Sequence, residues 1–147
     1  MRADDRALTD IYKVLDANLN RSKEGLRVCE DIARFHLKSS QLTKKLAGLR
    51  HSITKISKAS AIDQKRLFDA RNTQTDRGKT LSLGPKRRSF RNIFIANAQR
   101  AKEALRVLEE FFKLMDGKAS KKIQKLRFDL YAIEKQTIEE FPDLLST

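Results

Sequence analysis

Cysteine is almost missing from this chain of 147 residues, which holds one, Cys29. A single thiol excludes an intrachain disulfide and any cysteine-based zinc motif, and two isolated histidines, His36 and His51, do not replace one. Two prolines and five glycines are too few for a loop-rich all-β design, and there is no tryptophan. No apolar run approaches the ~20 residues that a bilayer-spanning helix requires. The charged N-terminus lacks the apolar core of a signal peptide. The simplest expectation is a cytoplasmic protein of one domain, without membrane contact.

Acidic residues are also in deficit: 19 Asp+Glu stand against 32 Lys+Arg, a formal charge of +13. Such a field attracts nucleic acid, anionic membranes or phosphorylated small molecules, and net charge does not choose among them. The bland account is a solubilising surface.

What the chain does have is a repeat. Residues 17–30 read ANLNRSKEGLRVCE and residues 96–109 read ANAQRAKEALRVLE. At an offset of 79 the identities are Ala17/Ala96, Asn18/Asn97, Arg21/Arg100, Lys23/Lys102, Glu24/Glu103, Leu26/Leu105, Arg27/Arg106, Val28/Val107 and Glu30/Glu109. A fainter echo follows each copy, KKLAGLRHSI at 44–53 and KKIQKLRFDL at 121–130. Repeats are sought first because they fix architecture. Apolar identities mean only that two helices share a core. A repeated Asn-x-x-Arg is more specific.

Helical spacing of Leu8, Ile11, Leu15, Leu19, Leu26, Cys29 and Ala33 predicts one long helix over 5–36, opened by Asp4 or Asp5. Ser39 or Ser40 starts a second, with Leu42, Leu46, Leu49, Ile53 and Ile56. Ser60 followed by Asp63 resembles a short capping box and predicts a small helix over 61–69. Residues 70–85 read as a polar loop, and Pro85 suits the first turn of the next helix. That helix is expected to run to about Leu114, stopped by Met115-Asp116-Gly117. A last helix, about 119–140, stops before Pro142. The fold class is all-α: an antiparallel bundle of two duplicated hairpins, about 11–56 and about 90–135, joined by the loop.

On a helical wheel, Asn18 and Arg21 fall on an extension of the apolar arc beside Gly25, and Asn97 and Arg100 fall beside Ala104. Polar groups on a buried arc must be satisfied. Either each Asn and Arg bonds its counterpart across the bundle, or the two pairs line a pocket for an anion, with Arg forming a bidentate fork to phosphate. The series Glu24, Arg27, Glu30, Arg34 reads mostly as a solvated face of local ion pairs. Glu24 and Glu103, which border the arc, are its candidate working carboxylates. The width of the apolar arc suggests a homodimer.

Gly78-Lys79-Thr80 imitates the end of a phosphate-binding P-loop, but Thr73 stands where that motif needs glycine, and no strand precedes it. The same loop offers Arg71, Asn72, Thr73, Asp76 and Gly78. Long polar segments between compact halves are often functional, and the plain alternative is a flexible linker. Lys86, Arg87, Arg88 and Arg91 form a basic cluster with Phe90 as its one aromatic neighbour, and no nucleic-acid-binding signature accompanies it.

Five blocks in register, DANLNRSKEGLRVCEDIARF, LRH, DARNTQTDRG, ANAQRAKEALRVLEEFFKL and LRFDLYAIEK, resemble the helical hydroxymethylpyrimidine-phosphate kinase domain that many bacteria fuse ahead of thiamine-phosphate synthase. The resemblance covers nearly the whole chain. It implies phosphorylation of 4-amino-5-hydroxymethyl-2-methylpyrimidine phosphate to the diphosphate, with ATP as donor and Mg²⁺ as cofactor. Carried over by position, the family pattern touches Asn18, Arg21, Glu24, Arg50, His51, Arg71, Thr73, Asp76, Gly78, Asn97, Arg100, Glu103 and Arg127. In that reading Arg21, Arg100 and Arg71 clamp phosphates, Asn18 or Asn97 reads the aminopyrimidine edge, and Asp76 or a Glu holds Mg²⁺. Asn72 replaces the family's usual second acidic residue, which weakens a metal site built on two loop carboxylates. The synthase barrel is not in this sequence, so the expectation is that the protein either acts alone or meets the synthase as a separate chain.

Two rival classes remain. A basic helical nucleic-acid-binding module explains the charge but not the duplicated Asn-x-x-Arg. A non-catalytic partner or regulatory domain of thiamine-phosphate synthase explains the fusion without chemistry.

Overall fold

The structure is a computed structural model that describes residues 3–71 and 84–147. Among them there is no strand. Four long helices, α1 (Ala3–Asp31), α2 (Ser40–Ala59), α4 (Phe90–Phe112) and α5 (Gly117–Glu140), accompany two short ones, α3 (Gln64–Asp69) and α6 (Pro142–Leu145). The all-α bundle expected from the sequence is present.

The long helices pack as a ring: α1 against α2, α2 against α5, α5 against α4, and α4 most extensively against α1. The α1–α4 seam is antiparallel. Gly25 of α1 faces Asn97 and Ala101 of α4, and four residues later the Cys29 thiol reaches back to the Phe94 carbonyl at 3.5 Å. The apolar stripes point inward as their spacing requires. Leu15, Leu26, Leu42, Leu46, Ile53, Phe94, Leu105, Leu108, Phe112, Ile123 and Leu130 are fully buried. Each such side chain contributes roughly 1.5–3 kcal/mol of burial.

Helix ends follow local side-chain chemistry. Ser39 caps α2 by accepting from Leu42 N, as expected. Asp116 caps α5, accepting from the amides of Lys118 and Ala119, and also from Ala61 at the end of the first hairpin. These hydrogen bonds hold its carboxyl below the ordinary aspartate value, the bond from Ala119 most of all.

Four expected boundaries are corrected. Asp4 and Asp5 lie inside the first turn of α1, which is already under way at Ala3. The α-geometry of α1 ends at Asp31 and continues as a π-helical turn, Ile32–His36, in which Leu37 N reaches the Ile32 carbonyl. That extra residue per turn aims His36 at Phe90, where the rings stack 3.6 Å apart. Asp63, not Ser60, caps α3, because its carboxylate takes both Lys65 N and Arg66 N. Pro85 opens no helix: Ser89 caps α4 by accepting from Asn92 N, and 84–88 are non-helical.

Candidate functional site

The candidate polar residues fall into three groups. Asn18 and Asn97 make the same bond in their own helices, to Val14 O at 2.9 Å and Ile93 O at 2.8 Å. Asn18 is buried, as its place on the arc predicts. Neither Asn bonds its counterpart across the bundle. The expected placement of the arginines on the buried arc is corrected: Arg21 and Arg100 are exposed. Arg100 lies 3.8 Å from Glu24 across the seam, with both side chains more than half exposed. Such a pair contributes little to stability, so these cations remain open to a ligand. Glu103 is exposed and accepts from Gln99. His51 is exposed.

The second group corrects the solvated-face reading at Glu30, while Glu24, Arg27 and Arg34 are exposed as expected. Glu30 has no exposed side-chain surface and Glu109 almost none. Each is clasped by an arginine from the next helix of its own hairpin: Arg50 Nε on Glu30 at 3.1 Å, Arg127 Nε on Glu109 at 2.9 Å. Arg27 and Arg34 add to Glu30, and Arg106 adds to Glu109. A buried carboxylate requires such neutralisation. Arg50 and Arg127, which the family pattern touches as candidate site residues, are therefore engaged in joining α1 to α2 and α4 to α5.

The third group forms a groove of about 240 Å³ between α1, α2 and α3. Asp16, Asn20 and Lys23 line it from α1, Thr54, Ser57 and Lys58 from α2, and Phe68 and Arg71 close it. Arg71 grips Asp16 with both ends of its fork, Nε to Oδ2 at 3.0 Å and Nη2 to Oδ1 at 2.8 Å. It also stacks its guanidinium over the Phe68 ring, 5.5 Å from the centroid. Lys23 forms no ion pair among the described residues, so the groove presents free positive charge. Of its lining, the sequence pointed only to Arg71 as a site residue. The missed signal was a comparison of the two repeats outside their identities.

Asn72, Thr73, Asp76 and Gly78 lie outside the described residues. Among the described residues no group of three or more His, Cys, Asp or Glu side chains converges as metal ligands. Among the described residues Asp16 is the groove's one carboxylate, and Arg71 holds both its oxygens. The described residues thus do not by themselves build a magnesium cage. Cys29 is not a nucleophile here: burial foremost, then the charge of Glu134, pushes its thiol up to about 12. No helix of the described residues is long and apolar enough to cross a membrane.

The chain is similar to thiamine-phosphate synthase of Nostoc punctiforme, 36% identical over 126 residues, 84% of this chain and 34% of that protein. The synthase of the same name from Synechocystis is 38% identical over 128 residues, 86% of this chain and 36% of that one. That from Prochlorococcus marinus is 36% identical over 126 residues, again 84% and 34%. The chain thus spans about a third of the length of the curated relatives it matches. No solved structure matches it significantly. Residues 13–136, from the first turns of α1 to the last turn of α5, match the family to which the chain therefore belongs, the ThiD2 family.

Proposed function

We propose that this protein phosphorylates 4-amino-5-hydroxymethyl-2-methylpyrimidine phosphate to the diphosphate in thiamine biosynthesis, with ATP as donor. The observation that carries the reading is the α1–α2–α3 groove, in which Lys23, Lys58 and Arg71 surround space for a small phosphorylated molecule. Membership of the ThiD2 family, and relatives named thiamine-phosphate synthase, support the choice of pathway. In the reaction a phosphate oxygen of the monoester bonds to the γ-phosphorus of ATP. The bond from that phosphorus to the β,γ-bridging oxygen breaks, and ADP leaves.

Phosphoryl transfer asks a protein mainly for positioning and charge stabilisation, which lysines and arginines supply. Arg21 and Arg100, exposed on neighbouring helices, are the proposed contacts of the donor. Mg²⁺ is proposed to arrive on the donor's own phosphate oxygens, where it commonly needs only one or two carboxylates. Asp76 is the proposed protein ligand.

Incubating the protein with ATP, Mg²⁺ and the pyrimidine monophosphate should yield ADP and the diphosphate in equal amounts. A second reading, a non-catalytic companion of thiamine-phosphate synthase, is favoured by one fact: each relative carries this segment within a chain about three times as long. It replaces the kinase reading if no ADP forms and the protein instead alters the turnover of an added synthase.

A further inference from the structure

The two hairpins repeat one another until they reach the groove. In the second hairpin, Lys102 of α4 is buried against α5 and ion-pairs Glu134 at 2.8 Å. Its ammonium also lies 4.3 Å from the Tyr131 ring centroid. The carboxylate and the ring together enclose the cation. In the first hairpin the lysine is retained as Lys23, at the offset of 79. The α2 and α5 repeats align two residues differently, through Lys44/Lys121, Leu49/Leu126 and Arg50/Arg127. On that alignment Glu134 becomes Ser57 and Tyr131 becomes Thr54. Two large enclosing side chains are replaced by two small hydroxyls, and Lys23, Thr54 and Ser57 all line the groove.

Charge is rearranged at the same place. Among the described residues, Lys23, Lys58 and Arg71 face one carboxylate, Asp16, an excess of two positive charges on that part of the groove. A phosphomonoester carries about −1.5 to −2 at neutral pH. The volume of about 240 Å³ falls below the roughly 300–1,000 Å³ typical of sites for drug-sized ligands. That size favours a compact monoester over a whole nucleoside triphosphate.

We infer that this groove binds the phosphate of the monoester acceptor, with Lys23 as its anchoring cation, and that the second hairpin carries the same site closed by Glu134. Each chain then has one acceptor site, not two. Glu134 is the internal mimic of the ligand: its carboxylate does for Lys102 what the bound phosphate does for Lys23. The inference deepens the kinase reading and rests on it only for the identity of the acceptor.

The test introduces the second hairpin's lock into the first. Ser57→Glu should pair with Lys23, and Lys23→Gln should remove the cation without adding bulk. Calorimetric titration of the full chain with the pyrimidine monophosphate, and with inorganic phosphate as a generic probe, should give one site in the wild type. Binding should be ~10-fold or more weaker in both variants, the scale of losing a charge-assisted hydrogen bond. Thermal melts identify a misfolded variant, and if Ser57→Glu fails to fold, Lys23→Gln decides alone. Wild-type affinity in a folded Lys23→Gln, two equivalent sites, or no phosphate binding by the wild type would each overturn the inference. If ADP forms at the same KM in both variants, the inference falls and the kinase reading stands. If no ADP forms but phosphate binds the wild type and not the variants, the kinase reading falls and the inference stands.

Discussion

A carboxylate with little or no exposed surface sits in each hairpin, and its partner decides how much structure depends on it. Removing Arg50 would leave Glu30 with only the longer contacts from Arg27 and Arg34, at 3.4 and 3.6 Å. We expect Arg50→Ala and Arg127→Ala each to lower stability by about 2–3 kcal/mol, short of the full cost of an uncompensated buried charge. Urea unfolding measures this. If Arg50 were instead a phosphate ligand, Arg50→Lys would cut turnover and leave the unfolding midpoint unmoved. These pairs were not legible in the sequence for a definite reason. Arginines three and four residues from Glu30 imitate a surface ladder of ion pairs, while the decisive partner arrives from another helix. The Asn positions were legible as lying on the apolar arc, because the helical period places them there: Asn18 is buried and Asn97 half-buried. Their bonding was not, because a side chain that returns to its own helix leaves no pattern.

Among the elements, the most extensive packing is between α1 and α4, and it is tight at Gly25. A Cβ at Gly25 would lie 2.7 Å from the Asn97 carbonyl oxygen, a backbone atom that moves only with its helix. Gly25→Ala gains about 1 kcal/mol of helix propensity but overpacks the seam at a cost of roughly 1–3 kcal/mol. The melting temperature should therefore fall. A variant that melts at or above the wild type would show that the seam is looser than described. The four long helices were readable because each carries an apolar stripe of helical period over many turns. Their ends were less so. Pro85 and Ser89 both signal a helix start, and the outcome turns on which one supplies an acceptor for a free amide. Ser89 does, and proline has no side-chain oxygen to offer.

For the whole molecule, the two hairpins that carry the repeated sequence meet as a framework in which one is filled and the other is open. That difference was invisible in the repeat identities because it consists of what the first hairpin lacks, Glu134's and Tyr131's equivalents, seen only when α2 and α5 are aligned two residues out of step with α1 and α4. The excess of positive charge, evident from composition, said that an anion would be attracted but not where. A last consequence concerns Cys29, the chain's sole thiol, buried where α1 meets α4. It makes the protein its own stopwatch. A thiol reagent reacts with thiolate, and a group pushed up to about 12 supplies almost none of it while the seam is shut. Labelling at neutral pH should therefore be rate-limited by opening. The ratio of the observed rate to that of the unfolded chain reports the fraction of time the two halves spend apart. A ligand that bridges α1 and α2 without touching Cys29 should slow that clock only by stabilising the whole bundle. Rapid labelling of the native protein would mean that the halves part without unfolding.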